Sequence, residues 1–130
     1  MNEYETRPFP LVNNDYYLFR EVAVNGKYLF SEFIRQLTSA DRKHFEAIIA
    51  YMDMFSPQLL LPKTKFNHIE SSVSTSFYEF KKNNLRVYVA KIRPNMFVLL
   101  GGYKSTQKRD IKSLNRLFTD FIKQYKNGND

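Results

Sequence analysis

The chain has 130 residues and a net charge of +7 near neutral pH, because 20 lysines and arginines stand against 13 aspartates and glutamates. Hydrophobic residues make up 43% of the sequence, which is enough for the core of one domain and excludes a wholly disordered chain. The absence of cysteine excludes disulfides, thiolate nucleophiles and cysteine-based zinc sites.

The N-terminal half predicts an extended arm, a strand and two helices. Residues 1–13 are polar and contain two prolines, which is typical of a flexible arm. Residues 16–24 are rich in β-branched and aromatic side chains and end at an Asn-Gly turn, so they predict a strand. Apolar residues at helical spacing predict a short helix over 27–37 and a longer one capped by Thr38 or Ser39. The short link between these helices predicts that they pack as an antiparallel hairpin.

The C-terminal half predicts an irregular connector, three strands and a final helix. Prolines and a serine cluster argue against regular structure over residues 57–75. A final helix should begin at about residue 105, with its apolar side chains on one face, and end just before Gly128. Tight turns separate the predicted strands, which are 77–81, 85–93 and 96–100.

The order β-α-α-β-β-β-α predicts an α+β fold with a small, mostly antiparallel sheet that buries one face under helices. Val87 and Val89 alternate with Arg86 and Tyr88, and alternate side chains of a strand point to opposite faces. If the valines pack on the helices, Arg86 and Tyr88 should face solvent from the other side. Residues 14–127 are therefore predicted to form a single domain with a basic, open sheet face.

The strongest functional signal is a stretch from Phe80 to Arg109 that contains no aspartate or glutamate. A positive surface built onto a sheet favours a polyanion, and nucleic acid is the commonest polyanion. The cations of this stretch are Lys81, Lys82, Arg86, Lys91, Arg93, Lys104, Lys108 and Arg109.

Other classes of partner have weaker support in the sequence. No apolar run approaches the roughly 20 residues that a membrane helix needs, so no membrane partner is expected. Residues 1–10 lack the basic and apolar regions of a secretion signal, and we expect a cytoplasmic protein. His44 and His68 lie far apart and outside any metal-binding spacing, so we expect no metal and no cofactor.

Three short runs in the C-terminal half of the chain resemble the RelE/HigB superfamily of toxins from bacterial type II toxin–antitoxin pairs, and its HigB-like branch in particular. The resemblance spans roughly residues 15–125, with motif-level similarity only over 77–108. The chain departs from the family pattern at Ser105, where relatives carry a second lysine, and at Leu100, where some relatives carry a histidine. Phe77 and Glu79 stand where RelE-type members carry lysines. The matching runs are Tyr78-Glu79-Phe80-Lys81, Leu85-Arg86-Val87-Tyr88 and Lys104-Ser105-Thr106-Gln107-Lys108.

The resemblance implies a compact RelE-like toxin that cleaves mRNA inside the ribosomal A site and so inhibits translation. Its partners would be the ribosome, mRNA and a cognate HigA-like antitoxin with a helix-turn-helix domain. The enzyme would be a metal-independent endoribonuclease. Two alternatives stay open, since a fold does not fix a function. One is a non-catalytic interaction protein on the same scaffold, degenerate, phage-derived or gyrase-inhibitor-like, and the other is a plain RNA-binding module.

RNA cleavage without a metal needs cations for the phosphate and a base for the ribose 2′-hydroxyl. Arg86 matches the family's phosphate-binding arginine, whose guanidinium can hold two oxygens. Lys104 and Lys108 lie before a helix whose N-terminal amides attract anions, and His68 is the candidate base. These four are the catalytic candidates, and the RNA-binding candidates are Lys81, Lys82, Tyr103 and Arg109.

Each candidate also has a purely structural interpretation. Arg86 would then pair with Glu79 across the hairpin, and the lysines would be ordinary solvated side chains. His68 would be a polar surface residue of its loop. His44 is predicted to be solvated on its helix, and Glu79 is a second candidate base if it is buried beside cations.

Overall fold

The computed structural model describes residues 2–59, 61–69 and 77–128. The serine cluster of the predicted connector, residues 71–76, lies outside the described residues. Within the described ranges the protein is a mixed α+β structure with one seven-stranded, mostly antiparallel sheet and three α-helices, the last of them C-terminal. None of these helices combines the length and the apolar character needed to cross a membrane.

The elements that the sequence predicts are present, and three short strands join them. The helices are α1 (Leu29–Arg35), α2 (Ser39–Met54) and α3 (Gln107–Gly128), and a 3₁₀ turn over Lys104–Thr106 precedes α3. The strands are β1 (Tyr4–Pro8), β2 (Leu18–Val24), β3 (Lys27–Tyr28), β4 (Phe66–His68), β5 (Phe77–Lys82), β6 (Leu85–Ile92) and β7 (Asn95–Tyr103).

The sheet order is β1-β2-β7-β6-β5-β4, and β3 pairs with β2 off this path. β2 runs parallel to β7, whereas the other paired strands are antiparallel. The cap predicted at Thr38 or Ser39 is Thr38, whose Oγ1 accepts a hydrogen bond from Asp41 N at 3.2 Å. This cap fixes where α2 begins, and therefore where the side chains of its first turns lie.

Residues 4–8 are held in the sheet, although the sequence predicts a flexible arm over 1–13. Their edge strand β1 pairs with β2. Arg7 Nε donates to Glu21 Oε1 at 2.8 Å, and Nη2 forms an ion pair with the same oxygen at 2.7 Å. Ser31 Oγ donates to the same carboxylate. The guanidinium also lies 3.7 Å from the centre of the Tyr28 ring. The partners come from β2, β3 and α1, so the polar composition of the arm alone does not reveal this pairing.

Helices cover both faces of the sheet, which overturns the prediction of one open face. Val87 and Val89 pack in a core with residues of α1 and α2, as predicted. Tyr88 packs in a second core that includes Leu114 and Phe118 of α3. The amphipathic stripe of α3 needs its own apolar surface, and it takes the face opposite to α1 and α2. Tyr88 is consequently fully buried, and Arg86 is only 7% exposed.

Candidate nucleic-acid interface

Three parts of the chain meet at one end of the sheet: the β5–β6 turn, the β7–α3 junction and the first turns of α2. Asn83 and Asn84 make the turn, and Asn83 adopts a φ of 52°, a left-handed conformation that asparagine tolerates well. The elements are tied by Lys104 N to Asn84 O at 2.7 Å, Asn83 Nδ2 to His44 Nε2 at 3.1 Å, and Tyr103 Oη to Asp41 Oδ2 at 3.3 Å.

The cations of this end form one surface, which we call the basic end. Lys104 is exposed beside the turn, while Lys81 and Lys82 are half-buried on it. Three cations on the first two turns of α3 line an open groove of about 480 Å³ together with Ser105 and Thr106. The basic end therefore comprises Lys81, Lys82, Lys104, Lys108, Arg109 and Lys112.

The carboxylates near the basic end are held by internal partners. Glu79 is 4% exposed, accepts a short hydrogen bond from Gln107 Nε2 and lies 3.6 Å from Lys81 Nζ. Asp110 accepts from Thr106 Oγ1 at 2.8 Å. Its 3.9 Å contact with Arg109 adds little, because that arginine side chain is 77% exposed. The exposed surface is thus dominated by positive charge.

Arg86 lies beneath this surface, and the expectation that it faces solvent is wrong. Its Nη1 donates to the carbonyl of Asn83 at 2.7 Å and to that of Leu85 at 2.9 Å. Its Nε is buried without a hydrogen-bond partner among the described residues. Glu79, the proposed ion-pair partner, is engaged by Gln107 and Lys81 instead. Arg86 shares the Tyr88 face of the strand, which α3 covers, so its guanidinium is buried. From this inner side it binds the backbone carbonyls of the turn.

Tyr88 belongs to the same buried layer. Burial raises the pKa of its phenol, the negative charges of Asp110 and Glu79 raise it further, and Arg86 and Gln107 oppose the shift. Gln107 lies near this hydroxyl but donates to Glu79, and no hydrogen bond of normal geometry reaches the hydroxyl from the described residues. Tyr88 is therefore a neutral packing residue, and not the solvent-facing side chain that the strand alternation predicts.

Replacing Tyr88 with phenylalanine should raise the free energy of unfolding by about 1 kcal/mol at pH 7, since an unpartnered buried hydroxyl is costly. The raised pKa also fixes the pH response. Above about pH 10 the unfolded chain loses this proton and the folded chain keeps it, so the wild type loses stability as the pH rises. Denaturation from pH 7 to 11 should show the gap to Tyr88→Phe widening above pH 10. Tyr16→Phe, at a 56% exposed position, is the control and should show no widening.

Gly101 and Gly102 allow α1 and α3 to pack closely against the end of β7. A Cβ at Gly101 would collide with the ring of Phe33 on α1. A Cβ at Gly102 would collide with the carboxylate of Asp110 on α3. The Gly-Gly pair, which has no phosphate-loop signature, thus brings α1 and α3 against opposite faces of one strand.

The histidine that lies at the basic end is His44, and not the predicted base His68. His68 lies on β4 opposite Tyr78, and the two rings meet edge to face with their centroids 5.2 Å apart. Tyr78 is four residues from the turn end of β5, about 13 Å along the strand. His68 is therefore remote from the basic end. His44, predicted to be solvated, is half-buried at the turn.

The structure brings together most of the residues that the sequence predicts as a site. Arg86 lies behind the turn, His68 is remote, and His44 and Lys112 are additions that no local pattern indicates. The other candidates lie at this end, namely Lys81, Lys82, Tyr103, Lys104, Lys108 and Arg109. No family model, curated protein or solved structure matches the chain, so similarity to known proteins assigns it no family.

Proposed function

We propose that this chain is a toxin of the RelE/HigB kind, which binds mRNA at the basic end and cleaves it during translation. One observation carries the proposal: four cations of the basic end are exposed, namely Lys104, Lys108, Arg109 and Lys112. The neighbouring carboxylates of Glu79, Asp110 and Asp41 are held by internal partners. A surface with unopposed positive charge attracts a polyanion and steers it to this end. Once the short strands β1, β3 and β4 are set aside, the remaining order β2-α1-α2-β5-β6-β7-α3 is the one that the sequence predicts, and it supports the proposal.

The geometry suggests how the work is divided among the residues. Lys104, Lys108 and Arg109 are exposed side chains next to the start of α3, and they would hold phosphates. Tyr103 lies between them and α2, half-buried, where its ring can stack on a base. Arg86 would act indirectly, because it fixes the turn that carries Asn83.

The proposal includes a cognate antitoxin with a helix-turn-helix domain. Such a partner would place carboxylates opposite the same cations, which both binds the toxin and blocks the RNA. It would also neutralise a chain whose net charge is +7.

A non-catalytic interaction protein is the second candidate function, and one observation favours it. The arginine that matches the family's phosphate ligand is 7% exposed and already donates to two backbone carbonyls. A chain that uses this arginine for folding has a weaker claim to phosphate chemistry. Such a protein would bind an acidic partner at the basic end and leave mRNA intact.

Expression of the wild-type chain alone should arrest translation and yield mRNA cut within translated reading frames. The double variant Lys104→Glu/Lys108→Glu should remove both effects, because it reverses two charges of the basic end. The control is Lys123→Glu/Lys126→Glu, which changes the net charge equally at exposed positions near the other end of α3. It should remain toxic. Wild-type expression that leaves growth and mRNA intact would reject the nuclease and favour the interaction protein.

A further inference from the structure

His44 presents a proton-accepting nitrogen at the edge of the basic end. Its Nε2 lies 3.1 Å from Asn83 Nδ2. With the Asn83 amide in this orientation its nitrogen donates and the ring nitrogen accepts. His44 is half-buried on α2, whereas Asn83 is exposed on the turn. The acceptor position of the imidazole is therefore reachable from solvent once the amide side chain turns away.

The same turn fixes this imidazole relative to the phosphate-binding cations. The carbonyl of Asn83 accepts from Arg86, and the carbonyl of Asn84 accepts from the backbone of Lys104. One turn earlier on α2, Asp41 accepts from the hydroxyl of Tyr103. Burial raises the pKa of Tyr103, as do the charge and hydrogen bond of Asp41, so this contact joins a neutral phenol to a carboxylate. His44 and the backbone of Lys104 are thus held against the same turn, His44 through Asn83 and Lys104 through Asn84.

We propose that His44 is the general base for RNA cleavage at the basic end, an inference that rests on the proposed function. The ribose 2′-hydroxyl of a bound RNA would take the place of the Asn83 amide and donate to Nε2 of His44. The 2′-oxygen then bonds to phosphorus while the bond from phosphorus to the 5′-oxygen breaks. The proton of the 2′-hydroxyl passes to Nε2, and the leaving 5′-oxygen takes a proton from water. The products are a 2′,3′-cyclic phosphate end and a 5′-hydroxyl end.

Each of the three elements that meet here carries charged residues. A neutral imidazole accepts a proton and an imidazolium does not, so a general-base role predicts that cleavage slows when the solution is acidified. The groups that the elements bring here are Asp41 and Lys43 on α2, Lys82 and Arg86 on the hairpin, and Lys104 at the junction.

The test uses the two histidines of the chain as a matched pair. His44→Gln keeps a polar group of similar size but cannot take a proton, and His68→Gln makes the same change at the remote edge. Full-length proteins are assayed for mRNA cleavage in a purified translation system, for affinity to a single-stranded RNA, and for melting temperature. His44→Gln should slow cleavage about 10²- to 10⁴-fold and leave RNA affinity and melting temperature within error. His68→Gln should match the wild type in all three.

Two further readouts separate a base from a structural role. The wild type and His68→Gln should lose activity on acidification, while the residual activity of His44→Gln should not respond to pH in this range. His44→Ala should behave as His44→Gln, since the role lies in the imidazole and not in the contact with Asn83.

Each contrary result has a distinct meaning. Cleavage by His44→Gln within threefold of the wild type overturns the inference and leaves the proposed function standing. Loss of RNA affinity in step with loss of rate overturns it as well, because His44 would then be a binding residue. A wild-type protein that does not cut mRNA rejects the proposed function and the general base together.

Discussion

Replacing Arg86 with alanine should lower the free energy of unfolding by about 2–4 kcal/mol, the range expected when a buried side chain and its hydrogen bonds are removed together. The substitution removes the two hydrogen bonds that Nη1 gives to the carbonyls of Asn83 and Leu85. It also leaves a cavity under α3, because the side chain is buried. Equilibrium denaturation of purified protein measures the change. Arg86→Met, which fills the space without donors, should recover part of the loss and so separate packing from hydrogen bonding.

The control for this prediction is an arginine that the fold leaves in solvent. Arg116 is exposed on α3, and Arg116→Ala should change the unfolding free energy by no more than about 0.5 kcal/mol. If Arg86→Ala were as mild as Arg116→Ala, the guanidinium would face solvent, as the strand alternation alone predicts. The same result would return Arg86 to the role of a phosphate ligand.

The stability role of Arg86 limits what its substitution can say about activity. A variant that loosens the β5–β6 turn also displaces Asn83, and with it the contact to His44. Loss of toxicity in Arg86→Ala would therefore follow from either role. Substitutions of the exposed Lys104 and Lys108 leave the turn intact, and for this reason they carry the test of the proposed function.

The sequence predicts the long, strongly patterned elements of the fold well. The period of apolar residues identifies α2, and β-branched and aromatic runs identify β2 and β6, to within a few residues. The short strands β3 and β4, of two and three residues, carry no pattern of their own. The polar Arg7 of strand β1 is held by Glu21, Ser31 and Tyr28, which lie on other elements. Local sequence cannot display such pairings.

The sheet face that α3 covers shows a second limit of prediction from the sequence. Arginine and tyrosine next to valine look like the solvent side of a strand, yet both side chains have long apolar parts that a helix can cover. The apolar stripe of α3 is plain in the sequence, but the face on which α3 packs is decided by tertiary structure. For this reason the strand alternation predicts solvent exposure for Arg86 and Tyr88, which the structure buries. Its prediction that Val87 and Val89 lie in the core is confirmed.

The candidate site was only partly predictable for a similar reason. Lysines that follow one another along the hairpin and the junction were found from their clustering in the sequence. His44 is 39 residues away from Asn83 in the chain, and it reaches the turn only because α2 packs against the sheet. The residues around His44 in the sequence do not indicate this contact, because it depends on how α2 packs.

RNA binding by the basic end should weaken steeply with salt, because each phosphate contact releases counterions. Four contacts, made by Lys104, Lys108, Arg109 and Lys112, should give a slope of about −2.8 in a plot of log affinity against log salt on a single strand, at about −0.7 per contact. Lys104→Ala/Lys108→Ala should reduce the slope to about −1.4. Between 1 M and 0.1 M salt, the two contacts that this variant lacks change the affinity by a factor of about 25. The variant should therefore bind RNA about 25-fold more weakly than the wild type at 0.1 M salt.

Binding titrations with a short single-stranded RNA at four or more salt concentrations measure both quantities. Lys123→Ala/Lys126→Ala is the control, because it removes the same charge from exposed positions on the last turns of α3. It should keep the wild-type slope, while all three proteins melt at the same temperature. Equal slopes for the two double variants would mean that charge in general, and not the basic end, attracts the RNA. A flat response in the wild type would remove phosphate binding from this surface altogether.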